Sequence, residues 1–219
     1  MYIFIKRSLD ILLSLTALLI LSPILIPICI ILLLTGEHEV FYFQTRIGRG
    51  GKPFQVWKFA TMIKNSANIG TGLITTRNDP RVLPVGRILR KTKINELPQL
   101  INILIGDMSI IGPRPLVENG YLAYSEDIRE CINQLRPGLS GIGSVIFRDE
   151  ELYISQANDP VKYYNEKIQP VKGELEKWYF LNKSLYVDFM IIFLTCWVIL
   201  FKKSKLAYRV FTGLPEFNQ

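Results

Sequence analysis

Two long apolar runs frame the chain, and the body between them mixes apolar and polar residues at short intervals. The first run, Ile11 to Leu34, carries no charge; Lys6, Arg7 and Asp10 precede it, and Gly36, Glu37, His38 and Glu39 follow. It is long enough to cross a bilayer, for which ~20 apolar residues suffice. It is too long for a signal peptide, and no small-residue cleavage site follows it. Ser22-Pro23 at its middle and Pro27 one turn later each remove a backbone donor and crowd the preceding turn, which predicts a kink between residues 22 and 27. Two paths fit such a helix: a kinked crossing, or entry and return that leaves Lys6 and Arg7 on the same side as the body. The second run, Phe189 to Phe201, ends at Lys202, Lys203 and Lys205. It is short for a crossing, so it reads as an interfacial helix with its lysines on anionic headgroups, or else as a buried core helix.

In the body, Val40 to Phe43, the turn Gly48-Arg49-Gly50-Gly51 and Phe54 to Phe59 read as a β-hairpin. Asn65 to Gly72 reads as a loop. From Arg87 onward the pattern turns helical, and Leu97, Leu100, Ile101 and Leu104 form one apolar stripe. Gly112-Pro113-Arg114-Pro115 is a stiff, extended turn, because each proline biases its predecessor away from helix. Arg136-Pro137-Gly138 punctuates the chain again, and residues 152–183 carry mixed charge suited to solvent-facing helices.

Composition narrows the class. At 219 residues the chain holds one ordinary domain plus a membrane anchor. Hydrophobic residues make up 49% although 21% of residues are charged, so the apolar excess is local, as in a membrane protein. A formal charge of +7 favours anionic partners such as lipid headgroups, phosphorylated substrates or nucleic acid. No helix-turn-helix or aromatic RNA-binding pattern accompanies it, which argues against nucleic acid. Cys29, Cys131 and Cys196 form no C-x-x-C pair, and the single histidine, His38, has no nucleophile motif nearby. A zinc site, a disulfide framework and a Ser-His-Asp device are all disfavoured.

The densest basic stretch, Arg81, Arg87, Arg90, Lys91 and Lys93, precedes the lone carboxylate Glu96 and suits a diphosphate or anionic lipid. Arg114 differs from these, because flanking prolines fix its backbone and aim its guanidinium at low entropic cost.

Nearly the whole chain resembles the bacterial sugar transferases, the monotopic phosphoglycosyl transferases. The likeness is carried by Lys6-Arg7 with Asp10, Ser22-Pro23, Phe43-Gln44-x-Arg46-x-Gly48, Lys58-Phe59-x-Thr61-Met62 and Asp79-Pro80-Arg81 with Gly86 and Leu89-Arg90. Glu96-Leu97-Pro98-Gln99-Leu100, Gly106-Asp107-Met108-Ser109, Gly112-Pro113-Arg114-Pro115 and Arg136-Pro137-Gly138 continue it. The resemblance implies an α-rich α/β fold with a small β-hairpin, interfacial amphipathic helices and a re-entrant membrane helix broken at Ser22-Pro23. The expected organisation is a membrane helix over 1–36, a cytoplasmic domain over 37–186 and an interfacial helix with tail over 187–219. The resemblance also implies a site at the cytoplasmic face of a bacterial inner membrane, transfer of sugar 1-phosphate from a UDP-sugar to polyprenyl phosphate, magnesium, and an Asp-Glu pair whose aspartate is covalently phosphorylated. Lys58, Arg81, Arg90, Arg114 and Arg136 are its expected diphosphate or nucleotide ligands, and Lys6, Arg7, Ser22 and Pro23 its membrane residues. Other glycan-assembly enzymes are expected neighbours.

Two departures bear on mechanism. The pair reads Asn95-Glu96, and an amide cannot form a stable acyl phosphate as a carboxylate does. After Gly138, where the family has a Thr-Gly-Trp-Ala-Gln type segment, this chain runs Leu139-Ser140-Gly141-Ile142-Gly143 and on to Asp149-Glu150-Glu151. Glu96, Asp149 and Glu150 are therefore candidate bases beside Asn95, with Glu96 and Asp149 as candidate metal ligands. A base without a covalent nucleophile favours direct glycosyl transfer to a polyprenyl-diphosphate-linked sugar. Phosphoglycosyl transfer and a non-catalytic lipid-binding or scaffolding role are the alternatives. Ala60, where the family has Lys or Arg, removes one further cation.

Overall fold

The computed structural model describes residues 1–69, 79–201 and 204–217. Part of the polar loop read at Asn65 to Gly72, and the flanking Lys202 and Lys203, lie outside those residues. The chain begins with α1 (Tyr2–Leu34) and a hairpin of β1 (Phe41–Ile47) and β2 (Pro53–Phe59). Next come α2 (Pro84–Lys91), α3 (Gln99–Ile105), β3 (Ser109–Ile111), α4 (Glu118–Leu122), α5 (Glu126–Asn133) and β4 (Gly138–Ser140). The C-terminal half holds α6 (Ile142–Ile146), α7 (Glu150–Gln156), α8 (Pro160–Tyr163), a π-turn at Tyr164–Ile168, α9 (Gln169–Asn182), α10 (Leu185–Leu200) and α11 (Leu206–Val210).

α1 runs through Pro23 and Pro27 as one helical element, so the expected kink at residues 22–27 does not interrupt the helix. The physical reason lies in Ser22. Pro23 leaves the carbonyl of Leu19 without its helical N–H, and the Ser22 hydroxyl donates to that carbonyl at 2.8 Å. Helical backbone therefore continues through both prolines for 33 residues, ~50 Å along the helix path. It is long and apolar enough to cross a membrane, and its most apolar stretch is almost entirely unburied by the rest of the chain. Its first turns are pinned to the rest of the fold. Lys6 pairs with Asp188 of α10 at 2.9 Å, and the Arg7 guanidinium donates to the carbonyls of Ile103 and Leu104 at 2.6 and 2.9 Å. Arg7 thus caps the C-terminus of α3, where carbonyls lack helical partners and a cation is favoured.

The hairpin is longer than its sequence reading, with Phe41 opposite Phe59 and Ile47 opposite Pro53. Buried Asn102 fastens it to α3: its amide accepts from Trp57 N–H at 2.9 Å and donates to Gln55 C=O at 2.7 Å. α2 starts at Pro84, three residues before the expected helical onset at Arg87, because proline suits the first turn, whose N–H groups have no helical partner. α10 combines both readings of the second apolar run. Val187, Ile191, Leu194 and Val198 enter the largest core cluster, whereas Tyr186, Phe189, Phe193 and Leu200 stay exposed. That outer apolar face, like that of α1, is of the kind lipid covers.

Candidate active site

β3 and β4 pair in parallel, Ser109 with Gly138 and Ile111 with Ser140. Between them the backbone packs on itself more closely than any side chain allows: a Cβ at Gly112 would lie 2.3 Å from Arg136 O, and one at Gly141 2.2 Å from Gly112 O. This close packing anchors the Gly112-Pro113-Arg114-Pro115 turn. Pro113 C=O accepts from Gly138 N–H at 2.8 Å, Pro115 C=O accepts from Arg46 at 3.0 Å, and Leu116 C=O accepts from Ile47 N–H at 2.8 Å. Arg114 N–H donates to Glu176 Oε1 at 3.2 Å. The sequence predicts a stiff turn, and the structure shows both ends and the centre tied down.

The Arg114 guanidinium lies 3.8 Å from Glu96, whose side chain keeps 19% of its surface exposed. Lys58 and Arg90 join them, with Lys93 nearby. β2 supplies Lys58, and β1 supplies Gln44 and Arg46, which alternate onto one face of the hairpin. Gln44 Oε1 accepts from both Arg46 (2.7 Å) and Lys58 (3.3 Å), fixing the spacing of the two cations. Burial and the Arg46 charge lower Lys58 to about 7, and burial with Arg114 nearby lowers Arg46 to about 10. Burial would raise Glu96, but Arg114, Lys58, Lys93 and Arg90 together outweigh it and hold the carboxyl below its ordinary value. Glu96 is therefore a stable carboxylate and a poor proton acceptor at neutral pH.

Asn95 precedes Glu96 in a single 3-10 turn, Ile94–Glu96, entered through Lys93 at φ +62°. Its side chain is buried, and Oδ1 has no hydrogen-bond partner among the described residues. An unsatisfied buried acceptor is costly, on the order of 1–3 kcal/mol, and such outliers concentrate at functional sites.

Behind Arg114 lies a second acidic group. Glu150 is held by Lys172 and, against the effect of burial, is lowered chiefly by Lys172 and then by Arg114. Lys172 is itself buried and stands 5.3 Å from the Tyr164 ring centroid and 5.5 Å from that of Phe147. Burial raises Glu176 to about 7 from 4.5, and its Oε2 has no partner among the described residues. A carboxyl raised in the folded state contributes stability that is complete below about pH 4.5 and is lost as pH climbs through about 7. Glu176→Gln keeps an acceptor for Arg114 N–H but cannot ionise. It should unfold later than the parent at pH 8, by up to about 3 kcal/mol, and match it at pH 4; thermal unfolding in detergent at both pH values checks this.

The structure disperses several residues that the sequence groups together. Arg81 is buried and forked onto Asp79 (2.9 and 2.5 Å), and it also donates to the carbonyls of Ser66 and Ile69, so it is held in the fold instead of facing Glu96. Arg136 donates to Gly106 C=O at 2.9 Å and faces Arg7 and Arg49. Asp149 starts α7 without capping it, and no contact joins it to Glu96 among the described residues. The Glu151 side chain lies outside the described residues. Lys58, Arg90, Arg114 and Glu96 do come together. Arg46, Lys93, Lys172 and Glu176 join them, and the sequence offered no signal for the last two, which α9 delivers from far along the chain.

Among the described residues no group of three acidic, His or Cys side chains could enclose a metal. Glu96 still fits a magnesium ion that arrives with a phosphate ligand, because it stays ionised and accepts no hydrogen bond among the described residues. Magnesium commonly binds one or two carboxylates and takes its other oxygens from phosphate and water.

Fold and site together define a class: an α-rich protein with a long apolar N-terminal helix and a cation cluster suited to phosphate groups. The chain belongs to the bacterial sugar transferase family, whose model matches residues 1–202. It is 34% identical to the UDP-N-acetylgalactosamine-undecaprenyl-phosphate N-acetylgalactosaminephosphotransferase of Aeromonas hydrophila, over 91% of this chain and 44% of that one. It is 36% identical to the UDP-glucose:undecaprenyl-phosphate glucose-1-phosphate transferase of Escherichia coli K12, over 87% of this chain and 39% of that one. The exopolysaccharide production protein ExoY of Sinorhizobium fredii is 33% identical, with 87% and 83% covered. The chain thus spans less than half the length of the first two relatives and most of the third.

Proposed function

We propose that this chain transfers sugar 1-phosphate from a UDP-sugar to a polyprenyl phosphate at the cytoplasmic face of a bacterial inner membrane, in surface-glycan synthesis. The observation that carries this reading is the state of Glu96. Direct glycosyl transfer, which the Asn95-Glu96 departure favours on sequence, needs a base to take a proton from an acceptor hydroxyl. Four cations instead hold the Glu96 carboxyl below its ordinary value, so its carboxylate accepts a proton only weakly, and Glu150 is likewise lowered by Lys172. A phosphate acceptor is already an anion and needs no base. The names of the relatives, which are sugar-phosphate transferases, support the same choice over the direct transfer favoured on sequence.

In this reading Lys58, Arg90 and Arg114 grip the donor diphosphate. The acceptor's phosphate oxygen attacks the β-phosphorus, the bond from that phosphorus to the bridging oxygen breaks, and UMP departs with that oxygen. Positioning and charge neutralisation supply most of the catalysis in such transfers. Magnesium held by Glu96 would neutralise diphosphate charge when bound. With Asn95 in place of a carboxylate, the displacement is single and passes through no phosphorylated side chain.

The test is the mass of the lipid product from UDP-sugar and polyprenyl phosphate. A polyprenyl diphosphate sugar is expected; a polyprenyl monophosphate sugar or an unaltered lipid rejects the reading. Lys58 adds a pH signature. Free Lys58 titrates at about 7 and the diphosphate binds its charged form, so affinity for UDP should fall ~tenfold per pH unit above 7. Calorimetric titration from pH 6 to 9 checks this, and Lys58→Arg should flatten the curve.

A further inference from the structure

A second cation-lined hollow lies beneath the first turns of α1. Its volume is about 420 Å³, and Arg7, Arg49, Arg136 and Lys183 face it. Among the described residues none of these four meets a carboxylate. Arg7 and Arg136 donate to backbone carbonyls of the α3 terminus, Lys183 donates to Phe180 C=O at 2.7 Å, and Arg49 is exposed at the hairpin tip. The acidic neighbours are engaged elsewhere: Asp10 accepts from Ser109 and from Ile110 N–H, and Asp188 accepts from Lys6, Tyr2 and Tyr179. Gathering like charges costs energy that only an anion offsets. That cost is visible at Arg136, which burial and then Arg7 and Arg49 lower below its ordinary value, with Asp10, which also lines the hollow, offsetting only part of the effect.

We propose that this cavity binds a phosphate group, and that its occupant is the headgroup phosphate of an anionic glycerophospholipid. The surroundings favour a lipid over a free ion. Ile3 lines the hollow and is 63% exposed, and the adjacent Phe4 is 79% exposed. The apolar flank of α1 continues from there, so acyl chains along the helix would place a headgroup at its first turn. The site keeps α1 seated while the Glu96 cluster stays free for substrate.

The test uses the full chain in phosphatidylcholine nanodiscs doped with phosphatidylglycerol, without donor or acceptor, so its outcome is independent of the transferase reading. Native mass spectrometry then counts retained lipids. Wild type should retain phosphatidylglycerol over phosphatidylcholine, and Arg49→Gln combined with Lys183→Gln should lower that retention about tenfold. Arg49→Lys, which keeps the charge, should retain it, and millimolar inorganic phosphate should not displace it. Equal retention of both lipids, or unchanged retention in the double variant, overturns the proposal. Displacement by inorganic phosphate reassigns the cavity to a free ion and overturns the lipid assignment.

Discussion

Asn95→Asp should give the chain a reaction it otherwise lacks: with UDP-sugar alone and no acceptor, up to one UMP per chain released in a burst. The parent should release none. Amide and carboxylate are nearly isosteric, so the buried side chain keeps its place, and its unpartnered Oδ1 becomes a charged oxygen beside the Glu96 cluster. Lys58, Arg90, Lys93 and Arg114 already hold Glu96 ionised and would favour a second carboxylate there. The substitution rebuilds the Asp-Glu pair that the family resemblance implies as the covalent device. Quench-flow with nucleotide chromatography reads the burst, and intact-protein mass reads the added phosphosugar. A variant with no burst shows that this 3-10 turn aims residue 95 away from the diphosphate.

The second large effect concerns the frame around Arg114. Gly138→Ala should abolish folding, at a cost above about 4 kcal/mol. The new Cβ would stand 2.2 Å from Gly112 N, 2.3 Å from Ser140 O and 2.6 Å from Gly112 O, all backbone atoms that cannot swing aside. The β3–β4 pair would have to part, taking with it the bond from Gly138 N–H to Pro113 C=O that anchors the turn. Gly50→Ala is the control. Nothing lies within 4 Å of its Cβ, so only its φ of +73° opposes the change, at about 1 kcal/mol. Circular dichroism and thermal unfolding in detergent should separate the two variants clearly.

Much of this frame is legible in the sequence because local rules write it. The glycine turn between two apolar runs predicts the hairpin, the stripe from Leu97 to Leu104 predicts α3, and two prolines predict the rigid backbone of Arg114. What sequence reading misses is set by distant partners. Arg81 looks like a free phosphate ligand until Asp79, two residues back, claims its fork. Nothing in the sequence tells which partners Lys6 and Arg7 take, and Asp188 and the α3 carbonyls reach them from across the fold. Glu176 carries no motif at all, and only the docking of α9 brings it under Arg114. At Ser22-Pro23 proline and helix coexist for a local reason: the Ser22 hydroxyl satisfies the carbonyl that Pro23 orphans.

The most direct test of single-step phosphosugar transfer is the nucleotide that the parent chain releases from UDP-sugar, with and without polyprenyl phosphate. UMP is expected, and only when the acceptor is present. Release of UDP, or of UMP without acceptor, would contradict it.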